Sequence, residues 1–396
     1  MRDDPGQTSA PPLTWQDGAY VQSKTDPETV NLGLGQPSPR LLPVHLLHEA
    51  AARTLGPGAD PLMLQYGSIA GHAGIREVLA ELLSRRYRFP IAADGLVMTG
   101  GISSALSFVA QVFARPGQAV VCSDPTYFLA RGIFESQGLP TVGIPVDEGG
   151  LRVDALQRRL EAGLRPAFVY CMPSFHNPYG VDLEPARARR LVELAEQYDF
   201  VVVADEPYVM LHFGEAPPPC MMSYDGGRGR VISLGSFSKI LGPGLRLGWL
   251  HAEAPLVERF CEHGALRSGG GLNPMVCAVV ENLIEAGDLD RNIDELRATF
   301  TTRARALTDV LRQHFPSLSV PQPRGGYFIW LPLPPQLDTT ELLEAALEQK
   351  VGFTPGARCA VDLDLSHCLR VCFAFYEPHE LELGVQRLAG VLKLGA

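Results

Sequence analysis

The 396-residue sequence lacks the long apolar segments that membrane-spanning helices require. Its longest apolar runs, FVVVA at 200–204 and AVVC at 119–122, are far shorter than the roughly 20 residues needed to cross a bilayer. The N-terminal stretch MRDDPGQTSAPPLTW contains no apolar signal core. We therefore predict a soluble protein and expect it in the cytoplasm.

Positive charge, paired cysteines and clustered histidines are also scarce. The chain carries 34 Lys and Arg against 44 Asp and Glu, and its net charge of −10 disfavours nucleic acid or an anionic membrane as a partner. Its eight cysteines form no CxxC pair, which favours reduced thiols. Its ten histidines form no HExxH motif, so we predict no metal site.

The length and the hydrophobic content of 46% indicate a globular protein of about two domains. Residues 1–30 are predicted to form an N-terminal arm, because prolines and glycines interrupt regular structure there. Residues 31–285 are predicted to form a large domain, with 31–45 packing against the smaller one. Residues 286–396 are predicted to form a small α+β domain.

Strand-like apolar runs alternate with amphipathic helical stretches up to about residue 285. The strand candidates are GLVMTG, AVVCSDP, PAFVYCMP, FVVVADEP, RVISLGS and LRLGWL, and helical patterns such as ARARRLVELAEQY lie between several of them. Runs that are apolar on both faces favour a mostly parallel sheet covered by helices. Beyond residue 286, a long charged helical stretch leads to the strand-like runs GGYFIWLPLP and LRVCFAF.

Unusual polar residues follow several of these strands, where ligands bind in open α/β sheets. Asp205 ends the most apolar strand, so its carboxylate needs a partner. Lys239 follows the next strand and is surrounded by Ser236, Ser238 and Arg246. Hydroxyls and a guanidinium together suit a phosphate group.

A second half of this phosphate site is predicted at TGGISSAL, residues 99–106. Gly100 and Gly101 allow a tight turn, after which Ile102 and Ser103 begin a helix whose free N–H groups attract anions. A lysine amine, a buried carboxylate and a divided phosphate cradle are the parts needed to hold pyridoxal 5′-phosphate. Lys239 would then form a Schiff base, and Asp205 would pair with the pyridinium nitrogen.

From Asn31 onward the chain also resembles the class I/II aminotransferases, which are fold-type I pyridoxal-phosphate enzymes. The motifs that carry this resemblance occur in the family's order: LGLGQP, QYGSIAGHAGIRE, TGGISSAL, DPTY, HNPYG, DEPY, SFSK, GLRLGW and LRVCF. The resemblance implies an α/β fold, with a large domain built on a mostly parallel seven-stranded sheet and a smaller α+β domain. It also implies a homodimer with shared active sites.

The resemblance assigns roles to individual residues. Lys239, Asp205 and Tyr208 would be catalytic. Gly35, Asn177 and Arg370 would bind the substrate, Arg370 through its α-carboxylate. The residues expected to contact the cofactor are Gly101, Ile102, Ser103, Tyr127, Asn177, Asp205, Tyr208, Ser236, Ser238, Lys239 and Arg246, with Tyr66 reaching the phosphate of the partner subunit.

Some positions depart from the family pattern. His176 and Tyr179 stand where glutamine and threonine are common, and SGGGLNP at 268–274 places three glycines where a wall between subunits is expected. These glycines either widen the substrate cavity or form a flexible turn.

We therefore predict an aminotransferase that moves the amino group of an aromatic, aliphatic or long-chain amino acid to a 2-oxo acid. Because the same groups serve any reaction that begins with a stabilised carbanion, the alternative is β- or γ-elimination, cyclisation or carbon–carbon bond formation on a larger substrate. A ligand sensor fused to a DNA-binding module is disfavoured, because only about 30 residues precede LGLGQP and the charge is acidic.

Overall fold

The computed structural model describes residues 26–393, so most of the predicted arm at 1–30 lies outside the described residues. Thirteen strands lie within this range. They are β1 (Val30–Asn31), β2 (Leu96–Thr99), β3 (Val120–Asp124), β4 (Thr141–Asp147), β5 (Gly150–Leu151), β6 (Phe168–Cys171), β7 (Val201–Asp205), β8 (Val231–Ser236), β9 (Gly248–Ala252), β10 (Phe328–Pro332), β11 (Val351–Gly352), β12 (Thr354–Pro355) and β13 (Cys368–Cys372).

The main sheet has the strand order β2-β9-β8-β7-β6-β3-β4-β5. Its central strands β8, β7, β6, β3 and β4 run parallel, whereas β9 is antiparallel to both of its neighbours. The predicted mostly parallel sheet is confirmed, and each of the six predicted strand segments coincides with one of its strands. The sheet has eight strands rather than seven, because the two-residue strand β5 pairs back onto β4 across a short turn.

Twelve α-helices lie within the described range and cover the sheets. They are α1 (Val44–Thr54), α2 (Ala73–Tyr87), α3 (Ile102–Phe113), α4 (Phe128–Glu135), α5 (Val153–Glu161), α6 (Pro185–Tyr198), α7 (Ala254–Cys261), α8 (Gly264–Gly269), α9 (Pro274–Glu285), α10 (Asp288–His314), α11 (Thr339–Glu348) and α12 (Pro378–Leu392). Helix α6 illustrates why they form. It begins with Pro185 in its first turn, buries Leu191, Leu194 and Ala195, and ends before Asp199, which takes a left-handed conformation.

A second region follows the long helix α10. It contains an antiparallel sheet of order β10-β13-β12 and a parallel pair, β1 with β11. Val30 thus pairs with Val351 across most of the chain length, which brings the segment before α1 beside the C-terminal strands. Helix α10 begins at Asp288, close to the predicted limit at 285/286; the division into two domains stays a prediction.

The eight cysteines are all free thiols, and all except Cys261 are buried. In the part of the chain that the structure describes, no helix combines the length and the hydropathy that a bilayer crossing requires.

Candidate active site

The predicted site residues meet beyond the carboxyl ends of four parallel strands. Tyr127 follows β3, Asn177 follows β6, Asp205 ends β7 and Lys239 follows β8. The carboxyl ends of parallel strands lie at one edge of the sheet, so the sheet order brings these side chains together.

The carboxylate of Asp205 is buried and bonded at one oxygen only. The Tyr170 hydroxyl donates to Oδ2 over 2.7 Å, whereas Oδ1 is buried and has no hydrogen-bond partner among the described residues. Burial raises the pKa of Asp205 to about 6, against the hydrogen bond from Tyr170 and the charge of Lys239, which lower it. Oδ1 is therefore a buried acceptor that is available to a ligand's N–H group.

The amine of Lys239 lies beside the loop that precedes α1. Its Nζ donates to the Gly35 carbonyl over 2.8 Å and stands 5.5 Å from the centre of the Tyr327 ring. Burial lowers the pKa of Lys239 to about 8, and the positive charge of Arg370 acts in the same direction. Lys239 therefore loses its proton more easily than an exposed lysine, and a larger fraction of it is the nucleophilic neutral amine near neutral pH.

The predicted phosphate cradle is assembled around Gly101. This residue precedes α3 with a φ of 83°, and an added Cβ would lie 3.3 Å from Arg246 Nη2. Arg246 Nη2 donates to the Gly100 carbonyl over 3.1 Å, and the hydroxyls of Ser236 and Ser238 are 2.8 Å apart. A glycine is required here both for the backbone conformation and for the space beside the guanidinium.

The first N–H groups of α3 point toward the same place. Ile102 and Ser103 are its first two residues, and the first intrahelical bond runs from Ala105 N to the Gly101 carbonyl. The N–H groups before Ala105 therefore have no partner within the helix and can bind an anion.

Arg370 is the most heavily bonded side chain of the site. Nη1 donates to Asn177 Oδ1 over 2.7 Å, and Nη2 donates to the Gly33 carbonyl and to Thr354 Oγ1 over 2.9 and 3.1 Å. Its guanidinium lies 4.1 Å from the centre of the Phe328 ring, and its Nε is buried without a partner among the described residues. The arginine is thus held in place with a donor left for an anion.

Gly35 also lies against this arginine, since a Cβ built on it would be 3.6 Å from Arg370 Nη2. The same glycine accepts the hydrogen bond from Lys239 through its carbonyl. Gly35 therefore lies against two of the site's cationic side chains, Lys239 and Arg370.

Aromatic rings surround these polar groups. Tyr208 is buried and packs on Tyr327 with ring centres 5.1 Å apart and planes tilted by 45°. Tyr127 is half-buried, and burial raises the pKa of its phenol to about 12, so it stays protonated. Phe128 follows Tyr127 and packs with Tyr179 against a small buried cluster that contains Trp330.

The unusual residue His176 has a structural partner. The backbone N–H of Tyr179 donates to its Nδ1 over 3.3 Å, so Nε2 carries the proton and donates to Ser123 Oγ over 2.9 Å. Burial lowers the pKa of His176 to about 3, and the ring is neutral. His176 therefore ties the loop of Asn177 to the end of β3.

Two predicted features lie apart from this cluster. Tyr66 is 82% exposed and contacts none of the groups described above within its own chain. Of the three glycines 269–271, Gly269 has room for a Cβ, which would lie 3.6 Å from the Tyr66 ring. The other two pack closely against the segment that follows Tyr66: a Cβ on Gly270 would overlap the Gly67 carbonyl, and one on Gly271 would overlap Gly71 Cα. Their lack of side chains thus permits backbone contact, a use that neither expected alternative included.

Sequence reasoning missed Tyr170, Gly33, Thr354 and Tyr327. Tyr170 occurs inside the apolar run PAFVYCMP, where it is indistinguishable from a core aromatic residue. Gly33 lies in the motif LGLGQP, in which only Gly35 is assigned a role, and Thr354 belongs to no motif. Only the folded strands bring the two residues to Arg370. The one available signal was that Tyr327 lies within the predicted strand-like run GGYFIWLPLP.

The family model described as aminotransferase class I and II matches residues 27–388, nearly the whole chain. The chain belongs to this family. The expected family, the fold-type I architecture and the aminotransferase class of enzyme are confirmed.

Three similar proteins illustrate the relationship. This aminotransferase is 33% identical over 371 residues to aromatic-amino-acid aminotransferase 1 of Thermococcus litoralis, covering 92% of this chain and 88% of that one. It superposes with a TM-score of 0.86 on Pyrococcus horikoshii kynurenine aminotransferase in complex with PMP, KYN and KYA, at 32% identity, covering 93% and 92% of the two chains.

The third is the α-aminoadipate aminotransferase of Thermus thermophilus, solved with N-(5′-phosphopyridoxyl)-L-leucine. The TM-score is 0.83 at 30% identity, and the match covers 96% of this chain and 98% of the other.

Proposed function

We propose that this aminotransferase binds pyridoxal 5′-phosphate at the cluster described above and transfers amino groups from aromatic or other apolar amino acids to a 2-oxo acid. The observation that carries the proposal is that a half-buried lysine amine, Lys239, and an Asp205 oxygen without a hydrogen-bond partner among the described residues lie at one edge of the sheet. When bound, pyridoxal phosphate supplies an aldehyde that captures amines and a ring that accepts the electrons released at the substrate Cα.

The residues present fit this cofactor. Asp205 Oδ1 would accept a hydrogen bond from the protonated ring nitrogen, and this bond would supply the partner that the buried oxygen lacks among the described residues. The phosphate would lie in the cradle, held by the residues Gly101, Ile102, Ser103, Ser236, Ser238 and Arg246. The half-buried ring of Tyr127 supports stacking on the cofactor, and Asn177 and Tyr208 would bind its phenolic oxygen.

Lys239 has two roles in this proposal. It attaches the cofactor, and after the substrate amine has displaced it, it removes the proton from the substrate Cα as a general base. Its lowered pKa of about 8 supports the second role, because a base works best when its pKa is near the working pH. Asp205 keeps the ring nitrogen protonated during that step.

The substrate side of the site supports an apolar side chain. Arg370 would bind the α-carboxylate with the donors that its other contacts leave open. The Phe128 ring centre stands 6.0 Å from the Arg370 guanidinium carbon, and Tyr179 packs with Phe128 against the same buried cluster. An amino acid held by Arg370 would thus have an aromatic surface within reach of its side chain.

We also propose a homodimer in the cytoplasm. Large apolar side chains are exposed on α1, on the segment 61–69 and at the start of α9, elements that pack on one another. They are Val44 at 70%, Leu62 at 69%, Leu64 at 72%, Ile69 at 38% and Met275 at 42% exposure, beside Tyr66. Several exposed large apolar side chains on neighbouring elements are typical of an interface, and a two-fold arrangement would bring Tyr66 to the partner's phosphate. The free cysteines support a reducing compartment, which cell fractionation tests.

The deciding experiment is product analysis in a single half-reaction. The purified protein, loaded with pyridoxal phosphate, is mixed with phenylalanine or leucine without an acceptor. We expect one equivalent of 2-oxo acid per site and conversion of the cofactor to its amine form. The Lys239→Ala variant serves as the control and should form neither. Release of a β- or γ-leaving group with no 2-oxo acid would favour elimination instead.

A further inference from the structure

Tyr170 lies beneath the site, in a position set by strand register. It pairs with Val203 of β7, and because side chains alternate along a strand, Asp205 lies on the same face as Val203. Its ring packs edge-on against Phe134, with centres 5.5 Å apart, and is fully buried. The phenol is therefore fixed beneath the carboxylate and cannot reach a substrate.

The contact between the two residues is asymmetric. The phenol donates to Oδ2 over 2.7 Å and leaves Oδ1 without a partner among the described residues. Burial raises the pKa of Tyr170 well above its usual value, so the hydroxyl keeps its proton at all ordinary pH values. Tyr170 therefore donates a hydrogen bond to Asp205 Oδ2, and not to Oδ1, at all ordinary pH values.

We propose that Tyr170 is a positioning residue that fixes the carboxylate of Asp205 so that Oδ1 faces the ring nitrogen of the cofactor. This inference rests on the proposed function. The hydroxyl performs two tasks: it sets the rotation of the carboxylate, and it stabilises the charged form that the protonated ring nitrogen requires. Without it, Oδ2 would be a buried acceptor with no donor, which disfavours the carboxylate over the neutral acid.

The substitution Tyr170→Phe removes only the hydroxyl and keeps the ring volume against Phe134. The pKa of Asp205 should then rise above its present value of about 6, because a contact that lowers it is lost. A protonated Asp205 must release its proton before it can pair with a protonated ring nitrogen. The affinity for the cofactor should therefore begin to fall at a higher pH as the solution is acidified.

The measurement is the dissociation constant of pyridoxal phosphate for the apo-protein, determined by fluorescence quenching over a range of pH. For the wild type we expect the affinity to weaken as the pH falls through about 6. For Tyr170→Phe the same weakening should begin at least about one pH unit higher, so the affinity at a pH below both midpoints should be lower than that of the wild type by a factor that approaches about ten.

Two controls separate this role from a general loss of packing. Tyr376→Phe removes a hydroxyl that accepts from Asn31 N over 3.0 Å and is not among the groups that shift the pKa of Asp205, so it should leave the pH midpoint unchanged. In an Asp205→Asn background, Tyr170→Phe should have no further effect on the pH profile, since the two residues act as one unit.

The inference is overturned if Tyr170→Phe keeps the wild-type midpoint, if Tyr376→Phe shifts it equally, or if the full shift persists in the Asp205→Asn background. If the wild-type protein does not bind pyridoxal phosphate at all, the proposed function fails and this inference fails with it. Normal wild-type binding with an unshifted Tyr170→Phe profile defeats this inference alone.

Discussion

Arg370 donates from Nη1 to the Oδ1 atom of Asn177 over 2.7 Å, and both side chains are buried. The residue proposed to hold the substrate carboxylate is thus bonded directly to a residue proposed to hold the cofactor. The orientation of each side chain depends on the other. We therefore expect the effect of a substitution around Arg370, on substrate binding or on cofactor binding, to depend on which neighbour of Arg370 it changes.

Thr354→Val should weaken substrate binding and leave cofactor binding unchanged. The hydroxyl of Thr354 accepts from Arg370 Nη2 over 3.1 Å on the side away from Asn177. A hydrogen bond to a charged group contributes about 1.5–3 kcal/mol, so the KM for the amino acid should rise at least about tenfold. Steady-state kinetics and cofactor titration measure the two effects.

The matched control is Thr308→Val. Its buried hydroxyl donates to the Ala304 carbonyl within α10, so its loss should lower stability without changing KM. An equal rise of KM in both variants would show that Thr354 has no specific role.

Cofactor attachment should depend on pH through Lys239. Its pKa is lowered to about 8, so the neutral amine that attacks an aldehyde is the minor form below that pH and the major form above it. The attachment rate of the apo-protein should fall about tenfold per unit below pH 8 and level off above it, as followed by stopped-flow absorbance. Borohydride reduction and peptide mapping should then find the pyridoxyl group on Lys239; a label on another lysine contradicts the assignment.

Leu64→Asp should weaken the proposed dimer. Leu64 is 72% exposed and lies in the apolar patch beside Tyr66, where burial against a second copy would leave an aspartate desolvated. Sedimentation should detect monomers at concentrations at which the wild type is dimeric, together with weaker cofactor binding. Leu383→Asp, at a 41% exposed position on α12, is the control and should stay dimeric. A fully active wild-type monomer would refute the arrangement.

Gly271→Ala should disturb the segment that carries Tyr66. The new Cβ would overlap Gly71 Cα, where backbone atoms cannot move aside easily, and overpacking of this kind costs about 1–3 kcal/mol. We expect a lower melting temperature and a higher dissociation constant for the cofactor. Gly264→Ala meets no atom within 4 Å and should match the wild type or melt slightly higher. Equal behaviour of the two variants would contradict this account of the glycines.

The sequence predicted those parts of the fold that depend on local pattern. Strands such as β7 are buried on both faces and therefore read as continuous apolar runs. Strand β4 was not predicted, because it is only partly buried and because Pro145 interrupts the apolar run in its segment TVGIPVD. Strand β5 has two residues, too few for any periodicity.

The site residues also fall into those that a local sequence pattern predicts and those that depend on how distant strands pair. Lys239 and Asp205 could be predicted because both follow apolar strands in a parallel sheet, where the position after the strand is itself informative. Thr354 could not, because it reaches Arg370 as a cross-strand partner between β12 and β13, and that register is not encoded in local spacing. The role of Tyr170 likewise depends on β6 lying next to β7. The three glycines at 269–271 showed that side chains are absent there. The sequence did not show that Gly67 and Gly71 would pack against two of them.

The pairing of β1 with β11 has a consequence for the order in which the protein can assemble during synthesis. The residues of the phosphate cradle lie between positions 100 and 246, and they can meet while the ribosome is still translating the later part of the chain. The loop at Gly33 can reach its final position only after the residues that hold it have been synthesised. These are Val351, which pairs with Val30, Arg370, which donates to the Gly33 carbonyl, and Cys372, whose N–H donates to the Leu32 carbonyl over 2.7 Å. A nascent chain could thus retain a phosphate-bearing cofactor before it could hold a substrate carboxylate, so the reaction becomes possible only after translation has passed Cys372.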